Sequence, residues 1–117
     1  MNGEFINLDT AKKIQEDKNM DKDLLKIIEH YRLMPQLKYF QSEVFELNEA
    51  IINYNNAKES IYTQDFITLK QHITEEMADV MVMLMQFKEY YHIDGNDIMK
   101  IMREKIDRQL GRIENEK

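Results

Sequence analysis

Apolar side chains recur along this chain every three or four residues rather than every second one, the spacing that gathers them on one face of an α-helix. Leu24, Ile27, Ile28 and Tyr31 form one such stripe, and Phe40, Val44, Leu47 and Ile51 a second. Ile73, Met77, Val80 and Leu84 form a third, and Ile98, Met102, Ile106, Leu110 and Ile113 a fourth. The residues between the stripes punctuate them. Asp21 or Asp23 opens a short helix, and Pro35 fits the first turn of the next, where its missing N–H costs nothing. That second helix runs to about Tyr54 before Asn55 and Asn56 break it. Residues 57–67 mix Ile61, Tyr62, Phe66 and Ile67 with polar groups and read as a short helix or structured crossover. A third main helix starts near Thr68 and reaches Tyr90 or Tyr91. Asp94 caps the fourth, with Asp97 three residues later as an acidic counterpart of the capping box, and this helix frays after Ile113.

Composition supports one compact helical unit. Three Gly and one Pro leave little punctuation for a many-stranded fold, and Leu, Met, Glu, Lys and Gln favour helices. The expected organisation is a polar N-terminal arm over 1–19, with Lys12, Lys13 and Lys18 interrupted by Glu16 and Asp17, followed by a single all-α domain over 20–117. Its expected architecture is four-helix-bundle-like with short extra helical segments. The absence of cysteine excludes disulfides, thiolate metal sites and a cysteine nucleophile. The longest apolar run, Met81 to Met85, is far too short to span a bilayer, and the polar start shows no secretion signal, so a cytoplasmic location is the expectation. A formal charge of −6 argues against a generic nucleic-acid-binding surface.

Chemistry enters with two acidic pairs. Glu43 and Glu46 flank the second apolar stripe at roughly 60° and 120° to one side, and Glu76 and Asp79 flank the third in the same directions. With 22 Asp and Glu in 117 residues, isolated acidic pairs arise by accident and mostly solvate a helix. The matching phase of these two allows four oxygen donors to meet at one seam between helices. Four carboxylates converging without a cation would repel one another, and a divalent metal removes that conflict. Hard Mg²⁺ takes oxygen ligands and keeps waters and substrate phosphates, so this donor set suits it better than a soft metal, with Mn²⁺ as a substitute.

Glu43-x-x-Glu46, followed after 29 intervening residues by Glu76-x-x-Asp79, resembles the signature of the MazG-like all-α nucleoside triphosphate pyrophosphohydrolases. Gln41 to Ala50 and Thr74 to Val80 are similar to that family's two metal-binding helices, and the likeness covers about residues 33 to 113. The resemblance implies hydrolysis of a nucleoside triphosphate between its α- and β-phosphates, giving a monophosphate and pyrophosphate, in nucleotide-pool housekeeping. It also implies that Glu43, Glu46, Glu76 and Asp79 hold Mg²⁺ and carry the catalysis, with Glu46 the choice for general base, although sequence does not separate ligand from base. A homodimer is the implied assembly, with a homotetramer as runner-up and active-site parts drawn from two subunits.

Lys105, Arg108 and Arg112 lie along one edge of the fourth stripe. They read either as salt bridges to acidic neighbours or as phosphate contacts, and the family carries basic residues on the corresponding helix. Asn53 and Asn56 are candidates for base or phosphate contact near the end of the second helix. Tyr39, Phe40, Tyr62, Phe66, Phe87, Tyr90 and Tyr91 offer stacking surfaces, though aromatic residues at this spacing usually belong to a core. His72, one turn before Glu76, is either its hydrogen-bond partner or an exposed residue near a helix start. Glu89-x-x-His92 is a single ExxH pair where a di-iron bundle uses two, and Asp94-Gly95-Asn96-Asp97 lacks the final Glu of a calcium loop. The Met-rich stretch Met77, Met81, Met83 and Met85 supports a different reading, a non-enzymatic module with a groove for a partner helix.

Overall fold

Four helices account for nearly all of the computed structural model, which describes residues 8–57 and 63–116, without the side chains of 13–15 and 63–65. They are α1 (Leu8–Tyr31), α2 (Leu33–Asn56), α3 (Thr63–Tyr90) and α4 (Gly95–Glu116), and among the described residues there is no strand. The chain is all-α. None of these helices is long and apolar enough to cross a membrane.

Two helices begin earlier than their apolar stripes suggest. Part of the expected arm, from Leu8 to Asn19, is helical and continuous with the rest of α1. This stretch has no apolar stripe and is exposed wherever its side chains are described, so its helicity rests on good helix formers and on i,i+4 charge spacing such as Lys12 and Glu16. Likewise α3 starts at Thr63, so Phe66 and Ile67 belong to it and not to a separate crossover helix. Ile61 and Tyr62 lie outside the described residues.

A single residue joins α1 to α2. Arg32 has φ 76° and ψ 156°, a conformation essentially reserved for glycine. Its N–H still donates to the Ile28 carbonyl at 2.8 Å, closing α1. Pro35 follows within the first turn of α2, where no intrahelical donor is needed. Replacing Arg32 with Gly is expected to raise the unfolding free energy by about 1 kcal/mol, the relieved strain being partly offset by a more flexible unfolded chain. Denaturant titration at constant m-value reads this, and an unchanged midpoint would show the joint to be unstrained.

The turn between α3 and α4 is built from two caps. His92, at φ 54°, donates to the Glu89 carbonyl at 3.2 Å while Ile93 donates to the Lys88 carbonyl at 3.0 Å, a Schellman ending of α3. His92 thereby supplies the left-handed residue that ends α3. Asp94 accepts the Asn96 N–H on Oδ1 at 2.8 Å, capping α4 as its sequence suggests.

Packing departs from the expected core. Gln36 meets Gln86, Phe40 meets Phe87, and Tyr54 meets Phe66, so α2 and α3 run antiparallel. Along α2 the buried line is Gln36, Glu43 and Ala50, while Val44 and Ile51 of the predicted stripe remain 36% and 40% exposed. On α3 the buried residues are Met83 and Gln86, and Met77 and Leu84 are about half exposed. Glu43 of α2 and Glu76 of α3 are turned inward, while Val44, Ile51, Met77 and Leu84 of the stripes stand outside the contact. Leu24 and Ile28 of α1 complete the small core on the acidic side.

The fourth helix does not join this bundle. Only its start, from Gly95 to Met102, lines a groove against α3, and none of its residues is buried. Its apolar stripe from Met102 to Ile113 faces solvent. The radius of gyration is accordingly 19.1 Å, where a compact chain of this length has about 13 Å. The four expected helices are present, and in one chain three of them form a bundle from which the fourth projects.

Candidate metal centre

Glu43 and Gln36 lie seven residues apart on α2, two helical turns along one line, and that line is the one pressed against α3. Burial of Glu43 follows from this phase; it is only 4% exposed. Glu46, less than one turn further, stands at the exposed edge, and Glu76 comes across from α3 half-buried. One carboxylate oxygen from each of Glu43, Glu46 and Glu76 falls within 4.8 Å of the other two. Asp79, a methylene shorter and exposed, is not part of this trio and borders the neighbouring cavity with Glu43. Three of the four predicted carboxylates thus converge, with the fourth beside them.

Glu43 Oε2 and Glu76 Oε2 are both buried and accept no hydrogen bond. Buried carboxylate oxygens without donors are costly, and a cation is the partner that satisfies several at once. The donor set is all oxygen, which matches Mg²⁺ or Mn²⁺. The remaining oxygen of Glu76 is held by His72, whose Nε2 lies 3.2 Å from Oε1. His72 is therefore the positioning partner of a carboxylate rather than merely an exposed helix-start residue. Tyr39 is tied to the cluster as well: its hydrogen bond to Glu43 first, then the Glu43 charge, partial desolvation and the charges of Asp79 and Glu46, push its hydroxyl above the ordinary value of 10.0.

Beside the carboxylates opens a cavity of about 530 Å³, bordered by Ile27 and Tyr31 of α1, by Gln36, Tyr39 and Glu43 of α2, and by Asp79, Met83 and Gln86 of α3. Its buried polar element is an amide pair. Gln36 Nε2 donates to Gln86 Oε1 at 2.8 Å, and Gln86 Nε2 reaches only the Met83 sulfur at 3.6 Å. These two glutamines were not legible as site residues by residue type. Their register was the available signal, since Gln36 precedes Glu43 by seven and Gln86 follows Asp79 by seven.

The predicted phosphate-binding residues are not brought here by one chain. Lys105, Arg108 and Arg112 are exposed on the part of α4 that projects beyond the groove on α3. Asn53 is exposed in the last turns of α2, away from the cavity lining, and its backbone carbonyl accepts the Ala57 N–H at 3.1 Å. Lys105, Arg108 and Arg112 fail to converge because α4 leaves the bundle; Asn53 shares the helical line of Glu46 but lies about 10 Å further along the axis. No family model, curated protein or solved structure matches the chain.

Proposed function

We propose that this chain is a Mg²⁺-dependent hydrolase that splits a nucleoside triphosphate into a nucleoside monophosphate and pyrophosphate, of the MazG-like kind its acidic motifs resemble, with nucleotide-pool housekeeping as its role. The observation that carries this reading is the pair of buried, donor-free oxygens on Glu43 and Glu76 beside a cavity of about 530 Å³, a volume within the usual range for small-molecule sites. Glu43, Glu46 and Glu76 would hold the ion, with Asp79 adjacent. Bound there, Mg²⁺ supplies charge neutralisation for phosphate oxygens and acidifies water.

The chain's own residues divide the remaining work. His72 holds one oxygen of Glu76, and Tyr39 stands beside Glu43. Tyr31, Tyr39 and Ile27 give the cavity the apolar and aromatic walls that suit a nucleobase, while Gln36 and Gln86 offer amide groups to its polar edge. In hydrolysis, water adds to a phosphorus of the α–β bridge, the bridging P–O bond breaks, and the proton passes to a carboxylate. Glu46, exposed at the edge of the cluster, is the residue for that last task.

A nucleotide panel with product identification tests the proposal. With Mg²⁺ or Mn²⁺, at least one triphosphate is expected to give equal amounts of monophosphate and pyrophosphate. Release of inorganic phosphate alone would overturn the choice of bond, and no turnover of any nucleotide with either metal would overturn the enzyme class.

A further inference from the structure

Gln36 and Gln86 border the cavity at a fixed distance from the carboxylates. Gln36 stands seven residues before Glu43 and Gln86 seven after Asp79, so each is roughly 10 Å along its helix from an acidic group. Since α2 and α3 run antiparallel, the two displacements point the same way, and the amides meet. A sugar and a base together cover that span. A nucleotide with its phosphates at the ion therefore brings the edge of its base to this pair, in a cavity that the rings of Tyr31 and Tyr39 also border.

The pair is buried and incompletely bonded. Gln86 is 2% exposed and Gln36 8%, and the bond between them, Gln36 Nε2 to Gln86 Oε1, uses half of what the two amides offer. Left over are an acceptor and a donor. Gln36 Oε1 accepts nothing from the described residues, and Gln86 Nε2 meets only the Met83 sulfur, a weak acceptor that leaves it free to donate elsewhere. Among the described residues no charged group hydrogen-bonds either amide, so nothing strong fixes which way the pair is set. The oxygen and nitrogen of a carboxamide are nearly alike in size. Turning both amides over restores the same bond in reverse, Gln86 donating to Gln36, and gives up little beyond the contact with sulfur.

We propose that Gln36 and Gln86 read the base as a pair of reversible polarity, so that the cavity takes nucleotides of amino and keto bases in the same seat. Cytosine and adenine carry an exocyclic N–H₂ donor beside a ring-nitrogen acceptor, whereas uracil, thymine and guanine carry a carbonyl acceptor beside a ring N–H. The second pattern is the first inverted. With one setting of the amides the pair offers an acceptor at Gln36 and a donor at Gln86; with the other it offers the reverse, and each class of base finds both of its groups matched. This rests on the site being a nucleotide site, as proposed above, and deepens that reading by naming the residues that meet the base and the range of bases they admit.

Calorimetric titration of the intact chain with CMP and UMP in Mg²⁺ tests this without needing turnover, and hydrolysis of CTP and UTP is followed alongside. The two dissociation constants are expected to agree within about fivefold, because each base makes the same pair of hydrogen bonds. Gln86→Glu leaves a carboxylate that accepts and cannot donate, which fixes the polarity. It is expected to move the ratio of the two constants by at least about twentyfold, and the direction tells which amide meets the exocyclic group. The monophosphate of N3-methyluridine, without a ring N–H, is expected to bind the wild type at least about tenfold more weakly than UMP. A wild-type preference above about tenfold for either base, a ratio that Gln86→Glu leaves unchanged, or failure of both monophosphates to bind at millimolar concentration would overturn the proposal. If the variant does not fold, the methylated base decides, and binding equal to that of UMP overturns it. The expected binding pattern with no hydrolysis of CTP or UTP would sink the reaction and keep the base-reading pair; hydrolysis with one base strongly preferred would do the opposite.

Discussion

Glu43→Gln is expected to abolish metal-dependent pyrophosphate release while making the metal-free fold more stable. Glu43 is the most buried carboxylate of the cluster, its Oε2 has no donor, and Glu46 and Glu76 present oxygens within 4.8 Å. Without a cation, that arrangement works against folding. An amide of the same shape removes one of three negative charges and brings an N–H₂ that can donate to a neighbouring carboxylate, worth about 1–3 kcal/mol in the apo protein. Turnover responds in the opposite direction: losing a central ligand should lower kcat/KM by at least about a thousandfold, about 4 kcal/mol of transition-state stabilisation. Chemical denaturation in chelator and steady-state kinetics in Mg²⁺ measure the two effects. A variant destabilised without metal would mark Glu43 as scaffold and remove the strongest support for the site.

The second large effect is that of the ion itself. Each buried oxygen left without a donor in the apo chain gains a partner when Mg²⁺ binds, so the folded state is favoured by mass action. At a hundred times the dissociation constant the gain is about 2.7 kcal/mol, or roughly 10 °C in Tm for a chain of this length. Calorimetric scans with Mg²⁺ or Mn²⁺ at fixed protein concentration are expected to show that increase, and Glu43→Gln should lose most of it. No shift with either ion at millimolar concentration would count against a metal centre at these residues.

The sequence carried more of the site than of its surroundings. The shared helical phase of Glu43/Glu46 and Glu76/Asp79 was enough to foresee acidic groups meeting at a seam between packed helices, of which Glu43, Glu46 and Glu76 do meet, and Asp94 announced the start of α4. The apolar stripes were equally visible, but periodicity reports only that a helix has an apolar face, not which surface that face meets. Val44, Ile51, Met77 and Leu84 belong to those stripes, yet they stand outside the contact between α2 and α3. The same ambiguity hid the departure of α4, and with it the separation of Lys105, Arg108 and Arg112 from the carboxylates. Gln36 and Gln86 escaped notice because buried glutamines have no signature of their own. Only the seven-residue register to Glu43 and Asp79 betrays them.

The one-residue joint at Arg32 sets the angle between two walls of the cavity. Ile27 and Tyr31 lie just before it on α1, and Pro35, Gln36 and Tyr39 just after it on α2, so two sides of the same chamber pivot on one pair of torsions. At roughly 1.5 Å of rise per residue, a change of angle at Arg32 moves Tyr31 little and Ile27, a further turn away, by more, so the width of the chamber follows the angle of the joint. A glycine there would relax the backbone and widen the range of angles that α1 can sample. The more stable Arg32→Gly protein should therefore hold a less sharply defined chamber, and its tolerance for differently shaped bases should broaden as its stability rises.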